Sequence, residues 1–346
     1  MELEELKKER IALEVIKTLK SRFDNFPEDA SDNRNAPFHK AFLEAFKLKL
    51  EQNVTNIPIF VSLASWMHGL NTTLGQSFFE KTAQILCDGE KREFNDLLIN
   101  SSQQEKINEI ITALKNKDQL PNLNLENNSL LTEDHENIIR IPNFTADVYF
   151  EDEDKIVAIE LKTVKPNSGV FKGEKEKILY AKAALKNKYP NKEIYYYLGF
   201  PFDPLSEESC GFDKNRFFNY GIDFKKFFDP NEVLLADELW NFLSEESQTM
   251  NLLLDIINSI SKPDFMDKFT FINNSSNFKI FPDRYTNILS DWFLKREHTM
   301  IQKFDSIQKV ANNNKRISRI LNQTLFSDKG EYRENRVNAL LVLINS

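Results

Sequence analysis

Cysteine is nearly absent from this chain: Cys87 and Cys210 are the only two in 346 residues. They lie far apart and form no CxxC pair. That excludes a disulfide scaffold and a cysteine-ligated zinc site, and it fits a reducing, cytoplasmic setting. Glycine is scarce as well, at nine residues, and none builds a Walker A loop. No serine sits in a nucleophile elbow, so Ser-His-Asp hydrolysis has no support. The four histidines, His39, His68, His135 and His298, show no metal-ligand spacing. No apolar run approaches the roughly 18 residues that span a bilayer. Met1-Glu2-Leu3-Glu4-Glu5 offers neither a basic nor an apolar signal region. The expectation is a cytoplasmic protein that uses no membrane. There is no internal repeat and no low-complexity tract.

What is present is ordinary in bulk. The chain is 41% hydrophobic and 28% charged, typical of a globular protein, and long enough to bury a large core in one or two domains. Net charge is −8, which does not advertise a nucleic-acid binder. The distribution is uneven, however. From Lys295 onward ten Lys/Arg face five Asp/Glu, a net of +5, so the remainder carries −13. A basic tail on an acidic body is either a phosphate-contacting surface or a solvated helical face.

Leu3, Leu6, Leu13, Ile16 and Leu19 recur at helical spacing and predict an amphipathic N-terminal helix. A polar connection with Pro27 and Pro37 follows, then a helical pattern over 38–50. Thr72-Thr73 reads as the N-cap of a helix running through Phe78, Phe79, Ala83 and Leu86. A further helix covers about 102–115, and the Asn-rich stretch 116–137 reads as a long loop. Residues 174–188 are helical, 194–200 a strand stopped by Pro201, and 233–236 a short buried strand or helical turn leading into a helix at 238–243. The Phe-rich segment 268–281 reads as a strand candidate, with helices over much of 283–325. This order gives an α/β fold with a mixed β-sheet flanked by helices. Three regions are expected: 1–35, an N-terminal helix and linker and a candidate dimer contact; 36–258, the core; and 259–346, a mainly helical region and candidate DNA contact.

The chemistry concentrates in the core. Asn143-Phe144-Thr145-Ala146-Asp147 precedes the polar turn Glu151-Asp152-Glu153-Asp154 and the apolar run Ala158-Ile159-Glu160-Leu161-Lys162. The turn between two β-type runs predicts a hairpin that brings Asp147 roughly opposite Glu160. Side chains two apart on a strand share a face, so Glu160 and Lys162 point the same way. Asp147, Glu160 and the Leu161 backbone carbonyl are hard oxygen donors suited to Mg2+. Lys162 offers an ammonium to a water or a phosphate. The same spacing also arises as a solvent-facing ion pair.

Asp147 with Glu160-Leu161-Lys162 resembles the PD-(D/E)xK nuclease signature. The surrounding sequence resembles the TdeIII/MjaII-like family of type II restriction endonucleases. The matching runs are Pro37-Phe38-His39-Lys40-Ala41, Thr73-Leu74-Gly75-Gln76-Ser77-Phe78-Phe79-Glu80, Ile159 through Asn167, Glu174-Lys175-Glu176-Lys177, Leu198 through Pro204, and Glu238-Leu239-Trp240, in the family's order. The proline that often precedes the first acid is replaced by Ala146. The resemblance implies a PD-(D/E)xK core and Mg2+-dependent cleavage of double-stranded DNA at a short palindrome, with a GGNCC-like site as the candidate target. It also implies a homodimer and a cognate DNA methyltransferase in the same system. Glu80 is then a further metal-site residue. Lys165, Asn167, Gln76, Ser77, Lys172, Lys175 and Lys177 become DNA-contact candidates, alongside Arg316 and Arg319 from the basic tail. Two alternatives stay open: another nuclease of this core acting in repair or junction cleavage, and a non-catalytic DNA-binding protein that keeps the fold.

Overall fold

The computed structural model describes residues 3–27, 57–131, 137–163, 168–221 and 223–345. The expected helix at 38–50, His39, His135 and the loop carrying Lys165 and Asn167 lie outside the described residues. The chain divides into two compact units, one holding Phe79–Leu252 and the other Leu3–Phe78 with Leu253–Ser346.

In the first unit the strands are β1 (Glu90–Phe94), β2 (Leu98–Asn100), β3 (Ile138–Arg140), β4 (Phe144–Glu151), β5 (Lys155–Leu161), β6 (Glu193–Phe200) and β7 (Val233–Leu235). Five of them form a mixed sheet in the order β1-β4-β5-β6-β7, and β2 pairs separately with β3. The joins β1–β4 and β4–β5 are antiparallel; β5–β6 and β6–β7 are parallel. β5 is central, and Ile156 through Leu161 are all buried, which explains its near-continuous apolar run. The expected hairpin is present. Asp152 closes its turn, its Oδ1 accepting from the N–H groups of Asp154 and Lys155, each at 2.9 Å.

A parallel pair needs a crossover, and helix Ser168–Lys188 supplies it between β5 and β6. Its Ile178, Leu179, Ala181 and Leu185 are buried. The face bearing Phe150 and Tyr197 is covered by helix Asp237–Ser244, whose Phe242 ring lies 6.3 Å and 5.3 Å from theirs. Strand alternation therefore puts Asp147, Glu160 and Lys162 on the opposite face, toward the crossover helix. Gly199 pairs with Leu161 at this level of the sheet; a Cβ there would meet Ile159 and Leu161 side-chain carbons at 2.9 Å. A side chain at that position would press directly on the end of β5.

The second unit is helical. Helix Glu5–Asp24 buries Ile11, Ala12, Val15 and Ile16, realising the expected amphipathic stripe. Phe265 stacks on Trp292 with ring centres 5.3 Å apart. Two cations of the basic tail are used internally. Arg296 binds Glu9 at 3.1 Å and Glu334 at 2.7 Å, and Arg336 binds Glu297 at 2.6 Å. Part of the C-terminal positive excess is thus structural and not free for phosphate.

Three expectations give way. Thr72 and Thr73 are not an N-cap: they lie at the end of helix Ile57–Thr73, their hydroxyls donating to the carbonyls of His68 and Gly69 four residues back. The stretch 116–137 contains helix Leu123–Ser129, capped by the Asn122 side chain, so it is not all loop. Residues 265–273 are helical and not stranded, because Phe265, Phe269 and Ile272 recur at helical spacing and bury one stripe.

Candidate active site

The site grows from the β4–β5 hairpin. One step beyond the Val148–Ile159 pair, Asp147 and Glu160 come side by side. The Leu161 N–H donates to Asp147 Oδ2 at 2.9 Å, so a side-chain carboxylate takes a backbone donor at the end of β5. On the other side, Gln84 donates its amide to the Asp147 carbonyl at 2.8 Å. Gln84 stands on helix Phe79–Leu86, which ties that helix to β4.

Lysines surround the acids. Lys162 Nζ lies 2.9 Å from Glu160 and 2.8 Å from Glu174 of the crossover helix. Lys177, one turn further along that helix, donates to the other Glu160 oxygen at 2.6 Å. Both Glu160 oxygens are therefore held by ammonium groups. Lys91 on β1 bridges Glu80 at 2.8 Å and Asp147 at 3.5 Å. A cleft of about 640 Å³ opens here, lined by Lys91, Asn143, Thr145, Asp147, Glu160 and Lys177 among others.

The electrostatics follow from this crowding. Burial, and then the nearby Glu160 charge, push the Asp147 carboxyl above the usual aspartate range; the Leu161 N–H works the other way. Burial pulls Lys162 down, but Glu160 and Glu174 outweigh it and hold the ammonium above the ordinary lysine range. The hydrogen bond to Glu80 leads in raising Lys91. Tyr196 on β6 is buried, and its hydroxyl has no hydrogen-bond partner among the described residues. Burial first, then Glu160, Asp147 and Glu174, hold that hydroxyl well above its ordinary range, so it stays neutral.

Asp147 and Glu160 are oxygen donors on adjacent strands whose mutual repulsion a divalent cation would relieve, so their chemistry fits Mg2+. Among the described residues no three His, Cys, Asp or Glu side chains are grouped to hold a metal ion. Lysines engage these carboxylates directly. Glu80 joins the constellation through Lys91.

The remaining expected contacts separate. Lys175 is corrected: it is fully buried, ion-paired with Glu126 and, at 2.5 Å, with Glu232, so it cannot reach a DNA backbone. Lys172 is half-buried on the same helix, and Lys177 sits on Glu160. Gln76 is exposed and Ser77 half-buried in the π-helical turn Leu74–Phe78 of the second unit. Arg316 and Arg319 are exposed on helix Lys315–Leu321. Sequence reasoning missed Lys91, Glu174 and Tyr196. For Glu174 a signal existed, since Glu174 and Lys177 stand three apart and share a helix face. Lys91 and Tyr196 gave none.

The raised Asp147 carboxyl has a cost in stability. An aspartate whose folded pKa exceeds its unfolded value opposes folding once pH rises through that interval. Asp147→Asn keeps an acceptor for the Leu161 N–H and removes the charge. It is expected to raise Tm modestly at neutral pH, with the gain vanishing below the ordinary aspartate pKa. Thermal unfolding from pH 3 to 8 checks this; a neutral-pH Tm below that of the parent would refute it.

Comparison with known proteins gives a consistent family. The family model described as "Type II restriction endonuclease, HinfI" matches residues 4–261. The chain is 46% identical to "Type II restriction enzyme MjaII" of Methanocaldococcus jannaschii, over 97% of this chain and 96% of that protein. No solved structure matches the chain.

Proposed function

Because the chain belongs to the HinfI family of type II restriction endonucleases, we propose that Asp147, Glu160 and Lys162 carry its phosphodiester hydrolysis, with Mg2+ and double-stranded DNA. The observation that carries this reading is the juxtaposition of Asp147 and Glu160 on neighbouring strands with Lys162 on the same face. Asp147, Glu160 and the Leu161 carbonyl would hold the ion, with Glu80 within reach through water. When bound, Mg2+ acidifies the attacking water and offsets charge on the scissile phosphate.

The protein's own groups do the rest. Lys162 is held protonated by Glu160 and Glu174, so it acts as a hydrogen-bond donor and positive charge and not as a base. It orients a phosphate oxygen or the incoming water. Glu174 holds the Lys162 ammonium from the crossover helix. Tyr196 stays neutral beside the acids and adds no charge to a site that must receive a phosphate.

The enzyme acts as a homodimer on a palindrome, because one active site per subunit then meets each strand. The target is a GGNCC-like site with its central base pair unread; guanine presents N7 and O6 to an Arg or Lys in the major groove. Such an activity calls for a cognate methyltransferase. Digestion of phage DNA with Mg2+, followed by sequencing of the ends, tests the reading. Ends at one short palindrome support it, ends at an unrelated motif remove GGNCC alone, and scattered ends remove site specificity.

Arg316 and Arg319 contact phosphate in this reading. Reversing both charges is expected to weaken duplex binding and to reduce the slope of log K against log salt by roughly 2. An unchanged slope, measured by fluorescence anisotropy at several salt concentrations, would make that helix a solvated face.

A further inference from the structure

The site holds its own counter-ions. Four carboxylates, Glu80, Asp147, Glu160 and Glu174, face three ammonium groups, Lys91, Lys162 and Lys177. The lysines are not equivalent. Lys162 lies between two carboxylates, and its side chain is 22% exposed. Lys91 is 48% exposed and reaches in from β1, an edge strand. Lys177 reaches in from the crossover helix, and both Lys91 and Lys177 line the open cleft. Each of these two occupies an oxygen that a hard cation would need: Lys177 on Glu160 Oε2, Lys91 near Asp147 Oδ1.

We propose that Lys91 and Lys177 are exchangeable counter-ions that couple DNA engagement to metal loading. In the DNA-free protein they neutralise Glu160, Asp147 and Glu80, so a divalent cation must displace an ammonium to enter. A DNA phosphate in the cleft gives the same ammonium groups another anionic partner. Lysine suits the exchange: its compact charge rides a flexible stem with three rotatable donors. As the lysines turn to phosphate, the carboxylates regain their full negative charge, and cation binding strengthens where the scissile bond lies. A metal site that fills only with DNA present is a direct outcome. Glu160 keeps Lys162 throughout, so the acid is never left wholly uncompensated.

This inference rests on the assignment of Asp147 and Glu160 as metal ligands, and the test separates the two. Mn2+ binding to the DNA-free full-length protein is measured by the electron paramagnetic resonance signal of free Mn2+. Lys177→Met and Lys177→Gln, and separately Lys91→Met, are expected to tighten Mn2+ binding by about tenfold, since each removes a competing and repelling charge. In the absence of metal, each variant should also lose about one unit of the salt slope of duplex binding. Circular dichroism of all variants establishes that they are folded; the Gln variant keeps a hydrogen-bond donor if the Met variant is not. Mn2+ affinity unchanged or weakened in the folded lysine variants overturns the coupling, and so does an unchanged salt slope. Glu160→Gln reports on the underlying assignment instead: if it leaves Mn2+ binding unaltered in the Lys177→Met background, the metal-ligand reading itself fails.

Discussion

Cleavage by Asp147→Ala or Glu160→Ala protein is expected to fall at least about a thousandfold, equivalent to ~4 kcal/mol of transition-state stabilisation. Duplex binding should persist or tighten, because each substitution removes a negative charge that faces the phosphate. The geometry explains the severity. Asp147 has one oxygen fixed by the Leu161 N–H and the other turned toward the cleft, so no neighbouring carboxylate stands in the same position. Lys162→Ala should be nearly as damaging, since Lys162 is the cation held by both Glu160 and Glu174. Glu80→Ala should be milder, because Glu80 touches Asp147 only by way of Lys91. Single-turnover cleavage in Mg2+, alongside anisotropy with the same duplex, measures both quantities. Near-native rates for Asp147→Ala would show that the active site lies elsewhere.

The second large effect concerns stability. Glu232, Lys175, Lys182 and Glu126 form a buried ionic cluster beneath the crossover helix; Lys182 meets Glu232 at 3.1 Å and Lys175 meets it at 2.5 Å. Burial pushes the Glu232 carboxyl up, but Lys182 and Lys175 outweigh it and hold it below its usual range. Glu232→Ala leaves two ammonium groups without their shared partner in the interior. The expected loss is roughly 3–5 kcal/mol, the usual result of breaking a buried pair from one side. A carboxylate with a depressed folded pKa gives stability that is complete above the unfolded value and lost as pH falls through the folded one. The difference between parent and variant in urea unfolding should therefore shrink in acid. A loss under about 1 kcal/mol at neutral pH would show that the cluster is not held as charges.

Much of this was legible before any coordinates. The hairpin was readable because an acidic turn separates two β-type runs; its register, which alternation alone does not fix, sets Asp147 beside Glu160. The Glu160–Lys162 pairing followed from strand periodicity alone. What stayed hidden has physical causes. β1 reads Glu-Lys-Arg-Glu-Phe, a charged edge strand with no apolar alternation, so neither the strand nor Lys91 announced itself. Lys175 and Lys177 look alike in sequence. Two residues on a helix turn the side chains about 200° apart, and one points into a buried cluster while the other points at the site. The helix at 265–273 was obscured by its phenylalanines, which are at home in strands as well. The units group the N-terminal helix with the C-terminal helices, a long-range association that no local pattern encodes.

The order of strands also bears on how the site assembles. Asp147 and the Leu161 amide are 14 residues apart and joined by a tight turn, so their meeting closes a short loop. The β5–β6 pairing must wait for the whole crossover helix to be spanned, a closure of far higher contact order. A folding chain thus meets the two acids before it has packed the helix that brings Glu174 and Lys177. In that interval the carboxylates repel each other with Lys162 as the counter-ion their own hairpin supplies, and packing of the helix adds Lys177. Low ionic strength that slows closure of the hairpin but hastens the packing of the helix carrying Lys177 is the kinetic signature that this wiring implies.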